Sequence, residues 1–108
     1  MDEHEFERRA ADAWKRVLDL FEDVDPDEAD VEQSGDVIRI DFKGGQRVVL
    51  NTQRPTRQLW LAGGNQAWHF SYDAAKERWF DDKGRGVELY AQLAALAKAA
   101  IGAELQAT

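Results

Sequence analysis

The chain has 108 residues, 44% of them hydrophobic, with four Trp and no Cys. That length suits one domain, residues 1–108, able to bury a core. The missing Cys excludes disulfides, cysteine-held zinc or clusters and thiol catalysis, and makes a reducing, cytoplasmic setting the expectation. The net charge of −7 is unevenly spread: residues 1–41 carry 15 acidic and 5 basic side chains, a net of −10, and residues 42–108 carry 6 acidic and 9 basic, a net of +3. A field of that shape draws cations or basic protein patches and repels nucleic acid, so no nucleic-acid partner is expected. No run of about 18 apolar residues exists to span a membrane, and no membrane partner is expected. The charged opening, residues 1–9, is not a signal peptide.

Residues 5–24 read as an amphipathic helix: Phe6, Ala10, Trp14, Val17, Phe21 and Val24 recur at steps of 3 or 4. Pro26 is expected to end it. Asp19, Glu22 and Asp23 then share one patch near its C-terminus, where carboxylates oppose the macrodipole by several tenths of a kcal/mol each. Residues 30–33 alternate, with Asp30 and Glu32 on one side and Val31 on the other. Ser34, Gly35 and Asp36 make a turn into a strand over 37–42, with Ile38, Ile40 and Phe42 inward. Gly44-Gly45 makes a hairpin turn into a strand over 46–51. Arg54-Pro55 interrupts the ladder, and strands follow over 58–62, 67–72 and 78–81. Leu59 and Leu61 face inward, as do Trp68, Phe70 and Tyr72. A last helix over 87–101 carries the stripe Leu89, Leu93, Leu96, Ala97 and Ala100, and Gly102 is its C-cap. Helix, meander, helix implies an α+β two-layer sandwich: two terminal helices on one face of an antiparallel sheet of about five to six strands, with the other face wet.

The densest chemistry lies between residues 12 and 32, where Asp12, Asp19, Glu22, Asp23, Asp25, Asp27, Glu28, Asp30 and Glu32 face only Lys15 and Arg16. Three readings are open. The run is a solvated face, or a site for hard, oxygen-seeking cations such as Mg²⁺, Ca²⁺, Mn²⁺ or iron, or a docking surface for a basic partner. With no His or Cys anchor, metal binding there is weak, exchangeable and poorly selective. Asp23-Val24-Asp25-Pro26-Asp27 opens like an EF-hand loop. However, Glu28 and Ser34 occupy the positions that need Gly and Glu, and Pro26 lies inside, so that motif is excluded. His4 is read as an incidental surface histidine and His69 as a contact residue, not a catalytic one. No nucleophile–base pair or phosphate loop is present, so no enzyme activity is expected.

A second surface is drawn by Asn51-Thr52-Gln53-Arg54-Pro55-Thr56-Arg57-Gln58-Leu59-Trp60-Leu61. By strand parity Asn51, Gln53, Gln58 and Trp60 point away from the helices, with His69 beside Trp60. The plain reading is a Trp that shields the sheet. The functional one is a binding anchor ringed by amides and arginines. This stretch resembles the N-x-Q-x-P-x-x-Q-x-W-L hallmark of the frataxin family. The resemblance also takes in Glu5-Phe6, Trp14, the Asp-rich turn, residues 64–70 with His69, Arg78-Trp79 and the final helix. It is strongest toward the short bacterial branch, without a mitochondrial presequence.

The resemblance implies the sandwich already derived. It also implies weak, exchangeable binding of Fe²⁺ and Fe³⁺ along an acidic ridge of Asp12, Asp19, Glu22, Asp23, Asp25, Asp27, Asp30 and Glu32. The implied partners are the cysteine desulfurase and the scaffold protein of iron–sulfur cluster assembly, met by Asn51, Gln53, Gln58, Trp60 and His69, with the ridge serving the desulfurase. The implied action is iron-responsive regulation of that complex, or iron donation to it, by a monomer that can oligomerise with excess iron. The alternatives are a metal-independent acidic docking module and a weak ferroxidase or iron-storage protein. Lys15 and Arg16 interrupt the ridge, and Asp19 stands alone where relatives often have adjacent acids. The early ridge is therefore weaker than residues 22–32.

Overall fold

The computed structural model describes residues 1–107. Its elements run α1 (Glu3–Leu20), β1 (Ala29–Ser34), β2 (Val37–Phe42), β3 (Arg47–Gln53), a 3₁₀ turn (Arg54–Thr56), β4 (Gln58–Gly63), β5 (Gln66–Asp73), β6 (Arg78–Asp81) and α2 (Leu89–Ile101). The sheet is a pure meander, β1-β2-β3-β4-β5-β6, antiparallel throughout. This is the expected sandwich, at six strands.

Alternation explains the layers. Ile38, Ile40, Phe42, Val48, Leu50, Leu59, Leu61, Trp68, Phe70 and Trp79 line the inner face and are buried. Against them lie Phe6, Ala10, Ala13, Trp14 and Val17 of α1, and Leu89, Tyr90, Leu93 and Ala97 of α2. Phe6 meets Trp79 edge to face at 6.1 Å, a favoured aromatic geometry. No layer covers the outer face of the sheet among the described residues.

Both helices begin on side-chain caps. Asp2 accepts from the Glu5 backbone N–H at 2.8 Å, so α1 starts at Glu3, ahead of the expected start at residue 5. Glu88 accepts from the N–H groups of Tyr90 (2.9 Å) and Ala91 (3.0 Å), which moves the start of α2 from 87 to Leu89. Gly102 closes α2 at φ 69°, a left-handed conformation that glycine takes without a Cβ clash.

The end of α1 differs from expectation. The helix stops at Leu20, six residues before Pro26, and the chain tightens into turns: Glu22 N–H bonds Asp19 O (3.2 Å) and Val24 N–H bonds Phe21 O (3.1 Å). Two forces act here. No basic side chain lies in the last turn to meet the helix dipole, so carrying Glu22 and Asp23 on the helix would add opposed charge. Phe21 instead turns onto Phe42, with ring centroids 6.2 Å apart. The third strand, expected to stop at 51, continues to Gln53, because the break at Arg54 is a four-residue connection and Gln53 pairs with Gln58 across it.

One buried carboxylate holds the β6–α2 connection. The Asp81 side chain is 1% exposed and its Oδ2 accepts from Arg85 Nε at 2.7 Å. Burial disfavours its charge. The Arg85 hydrogen bond and charge, together with the nearby backbone N–H groups of Val87 and Arg85, outweigh burial and hold the carboxyl below its usual range. A group depressed in the folded state contributes stability above its unfolded pKa, near 4, and loses it as pH falls through the folded value. Asp81→Asn is therefore expected to destabilise by about 1–2 kcal/mol at pH 7, a figure kept low because Arg85 is half exposed. It is also expected to flatten the loss of stability below about pH 4. Urea unfolding at pH 7 and pH 3 checks both; an unchanged midpoint at pH 7 would remove Asp81 from this role.

Candidate functional site

Two surfaces carry the predicted site residues, and the structure treats them differently. All eight ridge carboxylates are exposed. Asp12 lies on the flank of α1 that faces β6 and α2, sharing a depression with Arg9, Arg16, Tyr72, Glu77 and Tyr90. Asp30 and Glu32 lie on the outer face of edge strand β1, opposite Asp41 and Arg39. Between them the connecting turn carries Glu22, Asp23, Asp25 and Asp27. The eight expected ridge residues thus come from three segments: the exposed side of α1, the turn after it and the outer face of edge strand β1.

Some of these carboxylates are already engaged. Glu32 pairs with Arg39, which also reaches Asp41 at 3.2 Å. Arg47 binds Asp41 at 2.6 Å, and that hydrogen bond is the main reason the Asp41 carboxyl sits below its usual range. Glu32, Arg39, Asp41 and Arg47 thus form an alternating ionic row across β1–β3. Asp25 accepts from the Asp27 N–H at 2.9 Å, so it shapes its own turn. Two basic residues of α1 lie over aromatic rings. The Arg16 guanidinium lies over the Tyr90 ring at 4.5 Å and Arg9 over Tyr72 at 4.9 Å. Burial pushes the Tyr90 hydroxyl up to about 12.

Asp19 and Asp23 are brought together in a groove of about 600 Å³ between the end of α1 and residues 101–106. Glu28 and Glu104 join them, and Leu20, Val24, Ile101 and Leu105 supply apolar walls. Sequence spacing offered no route to Glu104, which is distant in the chain. Among the described residues, no three His, Cys, Asp or Glu side chains converge closely enough to hold a metal ion.

The outer sheet face is more highly organised. Register places Val37, Asn51, Trp60 and His69 in one row across β2–β5, with Gln53, Gln58 and Ser71 in the next. Trp60 and His69 stack at 4.1 Å with their planes 12° apart. Trp60 Nε1 donates to Gln58 Oε1 at 3.0 Å. Gln58 Nε2 donates to Ser71 Oγ (3.2 Å) and to Asp82 Oδ2 (3.0 Å). All five predicted contact residues therefore share one face. Sequence reasoning missed Val37, which is 38% exposed and one of two large apolar side chains standing open among the described residues. It opens the strand expected over 37–42, and the inward parity of Ile38, Ile40 and Phe42 already turned it outward; the row it shares with Asn51, Trp60 and His69 is set by the strand register.

The same arrangement of elements recurs in known proteins. Residues 1–103 match a family profile described as a frataxin-like domain. The chain belongs to the frataxin family. Among relatives, it is 39% identical over 106 residues to the iron–sulfur cluster assembly protein CyaY of Azotobacter vinelandii, covering 98% of this chain and 94% of that one. It is 38% identical over 95 residues to CyaY of Pseudomonas fluorescens strain SBW25, covering 87% and 84%. Among solved structures, the frataxin of Psychromonas ingrahamii superposes with a TM-score of 0.89 at 24% identity, over 100% of this chain and 99% of that one, a likeness of fold. A trimeric frataxin of the yeast Saccharomyces cerevisiae, complexed with ferrous iron, superposes with a TM-score of 0.74 at 28% identity, over 88% and 87%. In this frataxin, then, the family hallmark from Asn51 to Leu61 is the β3–β4 hairpin: its polar positions face outward and its leucines face the core.

Proposed function

We propose that this chain, acting as one frataxin-like unit, is a non-enzymatic protein of iron–sulfur cluster assembly that docks on the cysteine desulfurase and scaffold protein and tunes them to iron. The observation that carries the reading is the uncovered sheet face. A Trp, two Gln, an Asn, a His and a Val stand together there in a chain whose relatives are named for cluster assembly. An aromatic anchor inside a ring of amides is the composition of a protein-binding hot spot.

Iron in this scheme is cargo rather than a resident cofactor. Exposed carboxylates spread over helix, turn and strand favour oxygen-only, weak and exchangeable coordination. Residues 19–27 suit this better than Asp12, Glu28 or Glu32, since Asp12 sits beside Arg9 and Arg16, Glu28 is paired to Lys43 and Glu32 to Arg39. The net charge of −10 in residues 1–41 supports a second reading, in which the acidic half serves only to meet a basic partner and metal is incidental.

One experiment separates the two. Capture by immobilised cysteine desulfurase is expected at about 50 mM salt and is expected to fall severalfold at about 500 mM, because contacts between exposed charges are screened within a few ångströms there. Fe²⁺ titration is expected to shift amide resonances of residues 19–32 while Trp60 stays in place. Salt-independent capture would reject charge-led docking, and capture with no iron-induced shift would leave the docking-only reading standing.

A further inference from the structure

Trp60 is held by more than its own strand. Its indole can only donate, so Gln58 must turn Oε1 toward it; the Asp82 carboxylate can only accept, so Gln58 must turn Nε2 toward that side. The Gln58 amide therefore has one orientation, fixed at both ends, and Ser71 Oγ accepts from the same Nε2. Asp82 Oδ2 also lies 3.7 Å from His69 Nδ1, and His69 is the ring stacked on Trp60. The four residues surround the ring: Trp60 bonds Gln58, Gln58 bonds Asp82, the Asp82 carboxylate lies near His69, and His69 stacks on Trp60. Asp82 is tied to this group through its backbone as well, donating its N–H to His69 O at 2.8 Å. It lies just past β6, outside the hallmark stretch.

We infer that Asp82 is the positioning residue of the outer face, fixing the Trp60 ring in its docking orientation through Gln58 on one side and His69 on the other. Asp82 itself need not touch the partner. Its effect is pre-organisation: each long side chain that arrives already ordered spares about 0.5–1.5 kcal/mol on binding. With Gln58 and Trp60 both held, losing Asp82 is expected to weaken docking about tenfold, the ratio that corresponds to about 1.4 kcal/mol.

The inference rests on the docking reading above for its affinity arm, and has a second arm that does not. In the free protein, the four Trp give four indole N–H resonances, and Trp60→Phe identifies the one that belongs to Trp60. Asp82→Ala is expected to move that resonance and broaden or shift the His69 ring signals, with the three other indoles unchanged. Asp82→Asn keeps an acceptor for Gln58 and is expected to restore most of the Trp60 position. Affinity for the immobilised desulfurase–scaffold complex is expected to follow the same order: wild type, then Asp82→Asn, then Asp82→Ala about tenfold weaker. An indole resonance and an affinity both unmoved in Asp82→Ala would overturn the inference. A moved indole with wild-type protein that fails to bind would support the positioning role and reject the docking reading instead. The Asp82 side chain is 34% exposed, so these variants are expected to fold, and the three unmoved indoles report it.

Discussion

Replacing Trp60 by alanine is expected to weaken binding to the desulfurase–scaffold complex by about 30-fold or more while lowering folding stability by only about 1 kcal/mol. The asymmetry follows from where the ring stands. Trp60 is on the outer face, opposite Asn51 on β3 and His69 on β5, and none of its neighbours there belongs to the core. Removing it forfeits one aromatic stack and one side-chain hydrogen bond, both partly exposed. In a complex the same ring would be desolvated against a partner, where a large amphipathic side chain at the centre of a patch carries most of its weight. Calorimetric titration and urea unfolding on the same preparation test the claim. Equal losses in the two measurements would mean that Trp60 is a structural shield, and an unchanged affinity would move the docking surface elsewhere.

Phe6→Ala is expected to cost about 3–5 kcal/mol of folding stability, the range for removing a fully enclosed aromatic ring. Phe6 is 0% exposed and its ring meets Trp79, which also meets Tyr72 at 5.2 Å. It therefore joins the first turn of α1 to β5 and β6 at the far side of the sheet. For a domain near 100 residues that loss lowers the melting temperature by more than about 12 °C. A fall of under about 1 kcal/mol in chemical denaturation would show that α1 does not seat on the sheet as described.

The two surfaces were legible to different degrees. The outer face was readable because side-chain direction in a strand repeats every two residues. Once the β3–β4 hairpin was placed, Asn51, Gln53, Gln58 and Trp60 had to share a side, and β5 had to bring His69 with them. Asp82 was not readable, because it lies beyond the end of β6, where no periodicity constrains direction. The acidic segment was legible as composition and not as geometry. Counting carboxylates from Asp12 to Glu32 revealed the charge. It did not reveal that Asp12 faces the α2 side while Glu32 sits outside β1 beside Arg39.

By itself the sequence determined the element order, the inward residues of the second, fourth and fifth strands and the concentration of negative charge in the first 41 residues. Hydrophobic spacing and turn residues act locally, and each of these features is a local property. Only the tertiary structure decided where α1 stops, which carboxylates meet one another and which side chains surround Trp60. Those outcomes depend on contacts between residues far apart in the chain, such as Phe21 with Phe42 and Gln58 with Asp82. No local pattern encodes the distance between such residues; packing sets it.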